Sequence, residues 1–166
     1  MVKTIRIVGN KKSGKTALIE GLAREFTGKG LKVAALKTTS HDHDFDRPDT
    51  DTWRYRKAGC ESAVLVSPNE FVCHAGGVTE RDRKSIYDIL YKGIDLLVLE
   101  GMGVFETPMI ECIGTDGRSE YLKDSKLLAV VTDGASIPGI KNFKSDDISE
   151  LAQFIIDNLD LRETGT

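Results

Sequence analysis

The sequence has little of what would build a disulfide-stapled or metal-stapled scaffold. Its three cysteines, Cys60, Cys73 and Cys112, are odd in number and widely spaced, with no C-x-x-C pair. That pattern suits reduced, buried thiols and argues against a disulfide frame. Metal-ligand spacing is absent as well, which disfavours a zinc site made from these residues and His74. Excess positive charge is also missing: 23 Lys and Arg stand against 26 Asp and Glu, for a net charge of −3. Without a basic field, nucleic acid is not an expected partner. No apolar run approaches the length of a membrane span, and the first residues lack a basic-apolar leader pattern. The expectation is a cytoplasmic chain with no membrane contact. No repeat or low-complexity segment appears. The 166 residues fit one domain, read as 1–160, with a frayed tail over 161–166.

What is present is concentrated near the start. Gly9-Asn10-Lys11-Lys12-Ser13-Gly14-Lys15-Thr16 matches the phosphate-loop pattern G-x-x-x-x-G-K-[ST] without a mismatch. It follows a β-branched run ending Ile5, Ile7, Val8, and it precedes Ala17 to Phe26, which has helical apolar spacing. Glycines at 9 and 14 let the backbone wrap phosphate oxygens, and the helix that opens at Ala17 adds N-terminal donors. Lys15 is expected to reach the β- and γ-phosphates, and the Thr16 hydroxyl to hold Mg²⁺. Lys11 and Lys12 occupy positions that the pattern leaves free.

Along the chain, strands are expected at Leu31 to Leu36, Ser62 to Val66, Phe71 to Cys73, Leu96 to Leu99, Met109 to Ile113 and Leu127 to Val131. Helices are expected at Thr52 to Ala58, at Thr79 to Lys92 with Ile86, Ile89 and Leu90 inward, and finally after Asp147. There Asp147 and Glu150 have capping-box spacing, and Pro138 to Lys144 reads as a crossover. The alternation predicts an α/β fold: a three-layer P-loop NTPase arrangement with a mostly parallel central sheet and room for one or two antiparallel edge strands. Three acidic positions stand out. Thr38 to Asp51 carries His41, Asp42, His43, Asp44, Asp46, Asp49 and Asp51, too polar for core, at a strand end where such sheets bind ligands. Glu100 closes the Leu96 to Leu99 strand, where an acid touches Mg²⁺ or its water. Asp133 closes the last apolar strand, where a carboxylate accepts the paired donors of guanine that adenine lacks; its alternative is a turn aspartate.

The run Leu36-Lys37, then His41-Asp42-x-Asp44-x-Asp46-x-Pro48-x-x-Asp51-Thr52, then Arg56-Lys57-Ala58-Gly59 resembles the molybdopterin-guanine dinucleotide biosynthesis protein B family (MobB). Leu99-Glu100-Gly101, Pro108-x-Ile110-Glu111 and Ala129-Val130-x-x-Asp133 follow in family order, so the resemblance covers nearly the whole chain. It implies a homodimeric GTP-binding adaptor with weak hydrolysis that assists a guanylyltransferase in joining GMP to molybdopterin, itself a candidate ligand. On this sequence it implies that residues 9–17, from Gly9 to Ala17, hold the phosphates. Thr16 with Asp44 or Asp46 would serve Mg²⁺, Lys15, Asp44 and Glu100 would act at the reacting end, and Asp133 would meet the base. Thr38, Asp49, Met102, Gly103 and Met109 depart from the family pattern, and two of these replace cations near the presumed pterin.

Two other classes compete. A small-molecule kinase would use Asp44 or Glu100 as base and carry an arginine-rich lid, and no such cluster is visible in the sequence. A metallochaperone GTPase would use His41 and His43, with room for a cysteine, as ligands of a transition metal, although the acidic neighbours suit Mg²⁺ equally well.

Overall fold

A computed structural model describes residues 2–39, 41, 44–101, 106–114 and 117–161. Asp42, His43, Met102, Gly103 and the tail from 162 onward, all invoked above, lie outside the described residues. In chain order the elements are β1 (Lys3–Val8), α1 (Lys15–Gly28), β2 (Val33–Lys37), α2 (Asp51–Lys57), β3 (Ser62–Val66), β4 (Phe71–Ala75), α3 (Glu80–Leu90), β5 (Leu96–Glu100), β6 (Met109–Cys112), β7 (Leu127–Val131), β8 (Lys141–Phe143) and α4 (Ile148–Leu159). They group into two compact units, Met1–Ser40 with Tyr91–Thr166, and His41–Leu90.

The first unit is built on a six-stranded sheet of order β2-β5-β1-β6-β7-β8, and all five strand pairings are parallel. Parallel sheets bury both faces, so their strands read as unbroken apolar runs. Leu96, Leu97, Val98 and Leu99 are accordingly all at most 1% exposed. On one face Ile5, Ile7, Val98 and Ile110 meet Leu18, Leu22 and Phe26 of α1 and Leu151 and Ile155 of α4. Residues 18, 22 and 26 are four apart and share a helical face. The two helices approach closely at Gly21, where an added Cβ would stand 3.1 Å from Ile148 Cδ1. The other face holds a smaller cluster of Val8, Met109, Ile113, Leu127 and Val130. No described helix is long and apolar enough to cross a membrane.

Three details differ from the sequence reading. Among the described residues the sheet takes no antiparallel edge strand; the antiparallel pair β3–β4 forms a sheet of its own in the second unit. Lys141–Phe143, expected as crossover, is the sixth strand, too short at three residues to show a period. Asp147 makes no side-chain cap to α4. Its Oδ2 instead accepts the Lys144 N–H at 2.7 Å, closing the turn ahead of the helix.

In the second unit, Thr50 caps α2 by accepting the Trp53 N–H, and a Ser67–Glu70 turn joins β3 to β4. Helix α3 opens on a reciprocal box: Thr79 N and Oγ1 donate to Asp82 Oδ2 at 3.0 and 2.6 Å, and Asp82 N donates back to Thr79 Oγ1. The expectation that Ile86, Ile89 and Leu90 point inward is not met, since they are 40%, 75% and 46% exposed. Periodicity places them together but supplies no surface to cover them.

Candidate functional site

The chain turns sharply after β1 because only glycine fits there. Gly9 has φ +132°, and a Cβ on it would lie 2.1 Å from the Cys112 carbonyl oxygen of β6. Gly14 has φ +90° and leads into α1, which has no side-chain cap and no acid in its first turn. A helix that opens with no such partner leaves its first N–H groups for an anion. The Lys15 ammonium lies back across the loop, donating to the carbonyls of Gly9 at 2.9 Å and Asn10 at 2.6 Å and to Ser13 Oγ at 3.4 Å. A backbone cradle, a helix start and a mobile-stemmed cation make a chemically sound phosphate site. Thr16 is exposed at its edge, and Lys11, Lys12 and Ala17 are also exposed.

Glu100 arrives beside this loop through strand register. It pairs with Ile7 on one side and with Lys37 on the other, so it stands two residues short of Gly9 along the sheet. Lys37 Nζ lies 3.1 Å from Glu100 Oε1. This lysine was not among the residues singled out as site candidates; its signal was that both residues end their strands. Gly101 follows at φ +106°, where a Cβ would meet the Thr38 carbonyl oxygen at 2.3 Å, so the ends of β2 and β5 are locked by backbone contact. Asp133 lies at the same sheet edge beyond β7, two strands from β1, or roughly 10 Å across the ladder. Its Oδ1 accepts the Ser145 N–H at 2.9 Å, and that bond holds its carboxyl below the usual range.

Cys112 is the one buried thiol; Cys60 and Cys73 are exposed, against the expectation of three buried cysteines. Burial pushes the Cys112 thiol up to about 12 despite the opposing field of Lys15. Glu111 is only 1% exposed and accepts from the Ser119 hydroxyl and, at 2.8 Å, from the Glu120 N–H, pinning that loop to the sheet.

Asp44 and Asp46 belong to the second unit and meet there. Asp46 is 5% exposed. Its Oδ1 accepts from Thr52 Oγ1 at 3.0 Å and Thr50 Oγ1 at 3.2 Å, and His74 Nε2 stands 3.6 Å away. Arg56 Nη1 lies 3.6 Å from Asp44 Oδ1 and 3.8 Å from Asp46 Oδ2. The same unit holds a cavity walled by Asp44, Trp53, Arg56, Lys57 and Glu61 together with glycines 76 and 77. Among the described residues no three His, Cys, Asp or Glu side chains converge as a metal cluster.

With this geometry in hand, similarity to other proteins is informative. A family model described as molybdopterin guanine dinucleotide synthesis protein B matches residues 4–133. A molybdopterin-guanine dinucleotide biosynthesis adapter protein of Escherichia coli is 26% identical over 155 residues, 87% of this chain and 86% of that protein. Its Haemophilus influenzae namesake is 26% identical over 114 residues, 66% of this chain and 62% of that protein. Among solved structures, a crystal structure of molybdopterin-guanine biosynthesis protein B superposes with a TM-score of 0.75 at 26% identity, covering 94% of this chain and 99% of that one.

Proposed function

Because the chain belongs to the molybdopterin guanine dinucleotide synthesis protein B family, and so takes part in molybdopterin guanine dinucleotide biosynthesis, we propose that it acts there as a GTP-binding adaptor. Its partner in this reading is a guanylyltransferase that joins GMP to molybdopterin, a second ligand of the adaptor. The observation that carries the reading is the 9–16 loop: a glycine cradle, an uncapped helix start and Lys15 held on loop carbonyls. Bound phosphate would replace those carbonyls as the lysine's partner. In the first unit, Thr16 and Glu100 are the residues to hold Mg²⁺, which when bound neutralises charge on the β- and γ-oxygens. Asp44 and Asp46 belong to the second unit, where both carboxylates contact Arg56. Asp133 is the proposed reader of guanine. Hydrolysis is slow in this reading, because the sequence offers no residue as an arginine finger and a partner or second copy would have to supply it.

A second copy is the proposed partner for the apolar surface of the second unit. Val64, Leu65 and Val66 of β3 and Phe71 and Val72 of β4 are between 39% and 72% exposed. Apolar surface on that scale marks an interface.

Calorimetry with Mg²⁺ tests the nucleotide reading by comparing GTP, GDP and ATP on the wild type and on Lys15→Ala. The expected result is a preference for guanine nucleotides and a loss of affinity of about tenfold or more in the variant. Equal or tighter ATP binding would favour a small-molecule kinase instead.

A further inference from the structure

We propose that Lys37 is the cation that recognises the terminal phosphate of a nucleoside triphosphate in the loop site, and that Glu100 holds it in place until the nucleotide arrives. This inference deepens the nucleotide reading of residues 9–16 and rests on it. Strand register puts the pair on the required face. Ile7 belongs to the apolar cluster that α1 covers; Glu100 pairs with Ile7, and Lys37 pairs with Glu100. Directly paired residues on neighbouring strands point to the same face of a sheet. Both charged side chains therefore rise on the face that carries α1, the helix that Lys15 opens. Val33, four residues before Lys37 on β2, has the same parity and packs against the same cluster.

The pair is also within reach of the loop. β2 stands two strands from β1 with β5 between them, and Lys37 Nζ, 3.1 Å from Glu100 Oε1, leans toward β5. That leaves roughly 5–10 Å to the line of β1, a gap that a four-carbon stem and a phosphate can close between them. The Cys112 thiol is raised chiefly by burial, but Lys15 lowers it and Glu100 raises it, so both charges act on the residue whose carbonyl oxygen crowds Gly9. The pair is asymmetric: the Glu100 side chain is 14% exposed and the Lys37 side chain 67%. The carboxylate is the fixed member and the ammonium the one that can move. Thr38 N, donating to the Glu100 carbonyl at 2.9 Å, keeps the two strand ends level. Mg²⁺ that accompanies a nucleotide binds through one or two carboxylates and its own waters, a role that Glu100 fits. Once the Glu100 charge is neutralised in that way, the terminal phosphate becomes the stronger partner for Lys37. Lys15, held on the Gly9 and Asn10 carbonyls, serves the β-phosphate that GTP and GDP share, so Lys37 is the residue that tells the two apart.

Calorimetry of GTP and GDP with Mg²⁺ on the wild type, Lys37→Met and Lys37→Arg tests this. The wild type should prefer GTP. Lys37→Met should lose about tenfold or more in GTP affinity with GDP unchanged, and Lys37→Arg should keep the preference. Glu100→Gln, titrated in EDTA, should gain about tenfold for GTP and not for GDP, because the released lysine finds a partner only on a terminal phosphate; this arm needs no change at Lys37. Met keeps the apolar stem of an exposed side chain, and circular dichroism checks that each variant is folded. Equal loss of GTP and GDP in Lys37→Met, no loss of either, or a Glu100→Gln gain that is absent or equal for both nucleotides would overturn the proposal and leave the loop reading standing. A wild-type chain that binds neither nucleotide overturns both.

Discussion

Gly9 and Gly14 are both glycines of one loop, yet they fail differently on substitution. Gly9→Ala drives a methyl group into the Cys112 carbonyl at 2.1 Å, so a cost of about 2–4 kcal/mol is expected in urea unfolding. Gly14→Ala meets open space and bears only the left-handed backbone penalty of about 1–2 kcal/mol. The ordering of the two midpoints is the check. The thiols give a second residue-scale prediction. A thiol-reactive dye at pH 8 should modify Cys60 and Cys73 in the native chain and Cys112 only after denaturation, because the Cys112 thiol, at about 12, stays protonated and enclosed. The glycines were legible in the sequence because their spacing is a backbone requirement. The Lys37–Glu100 pair and the buried Glu111 were not singled out, since both are products of strand register and register is a long-range property.

At the scale of elements, α3 is the informative case. Its opening rests on Thr79 and Asp82, and the hydrogen bonds from Thr79 hold the Asp82 carboxyl below its ordinary 3.8. A carboxyl depressed in the folded state stabilises above its unfolded pKa, and that contribution is lost as pH falls through the folded value. Amide exchange over Glu80–Leu90 should therefore be pH-independent, after correction for intrinsic rates, from neutrality down to about pH 4. Protection should fall below that, and Asp82→Asn should abolish the step. As an element α3 was legible through its apolar spacing and first-turn acid, but its exposure was not. The same holds for α4: a helix after Asp147 was readable, and it buries Leu151, Ala152, Ile155 and Leu159, whereas the role of Asp147 depended on where the preceding turn placed its carboxylate. β8 escaped because three residues cannot display an alternation.

For the whole molecule, stability is concentrated in the layer of α1 and α4 on the sheet. Phe26 is fully buried there, and Phe26→Ala should cost about 3–5 kcal/mol in denaturant unfolding, a large part of the roughly 5–15 kcal/mol typical of a domain. In the proposed dimer the apolar β3–β4 surface meets a second copy. Sedimentation should show a dimer for the wild type, and Leu65→Asp with Phe71→Asp should give a folded monomer; an unchanged sedimentation coefficient would move the interface elsewhere.

The strand order has a consequence for how the chain is made. β1 is synthesised first, yet it sits between β5 and β6, strands that leave the ribosome some ninety to a hundred residues later. At about 5–20 residues per second, the nascent strand waits on the order of 5–20 s with Ile5, Ile7 and Val8 uncovered. The α1 segment behind it offers the first apolar partner on hand. The strand that leads into the phosphate loop is thus born early and finished late, and the protein's yield in a cell should depend on chaperones that shelter it.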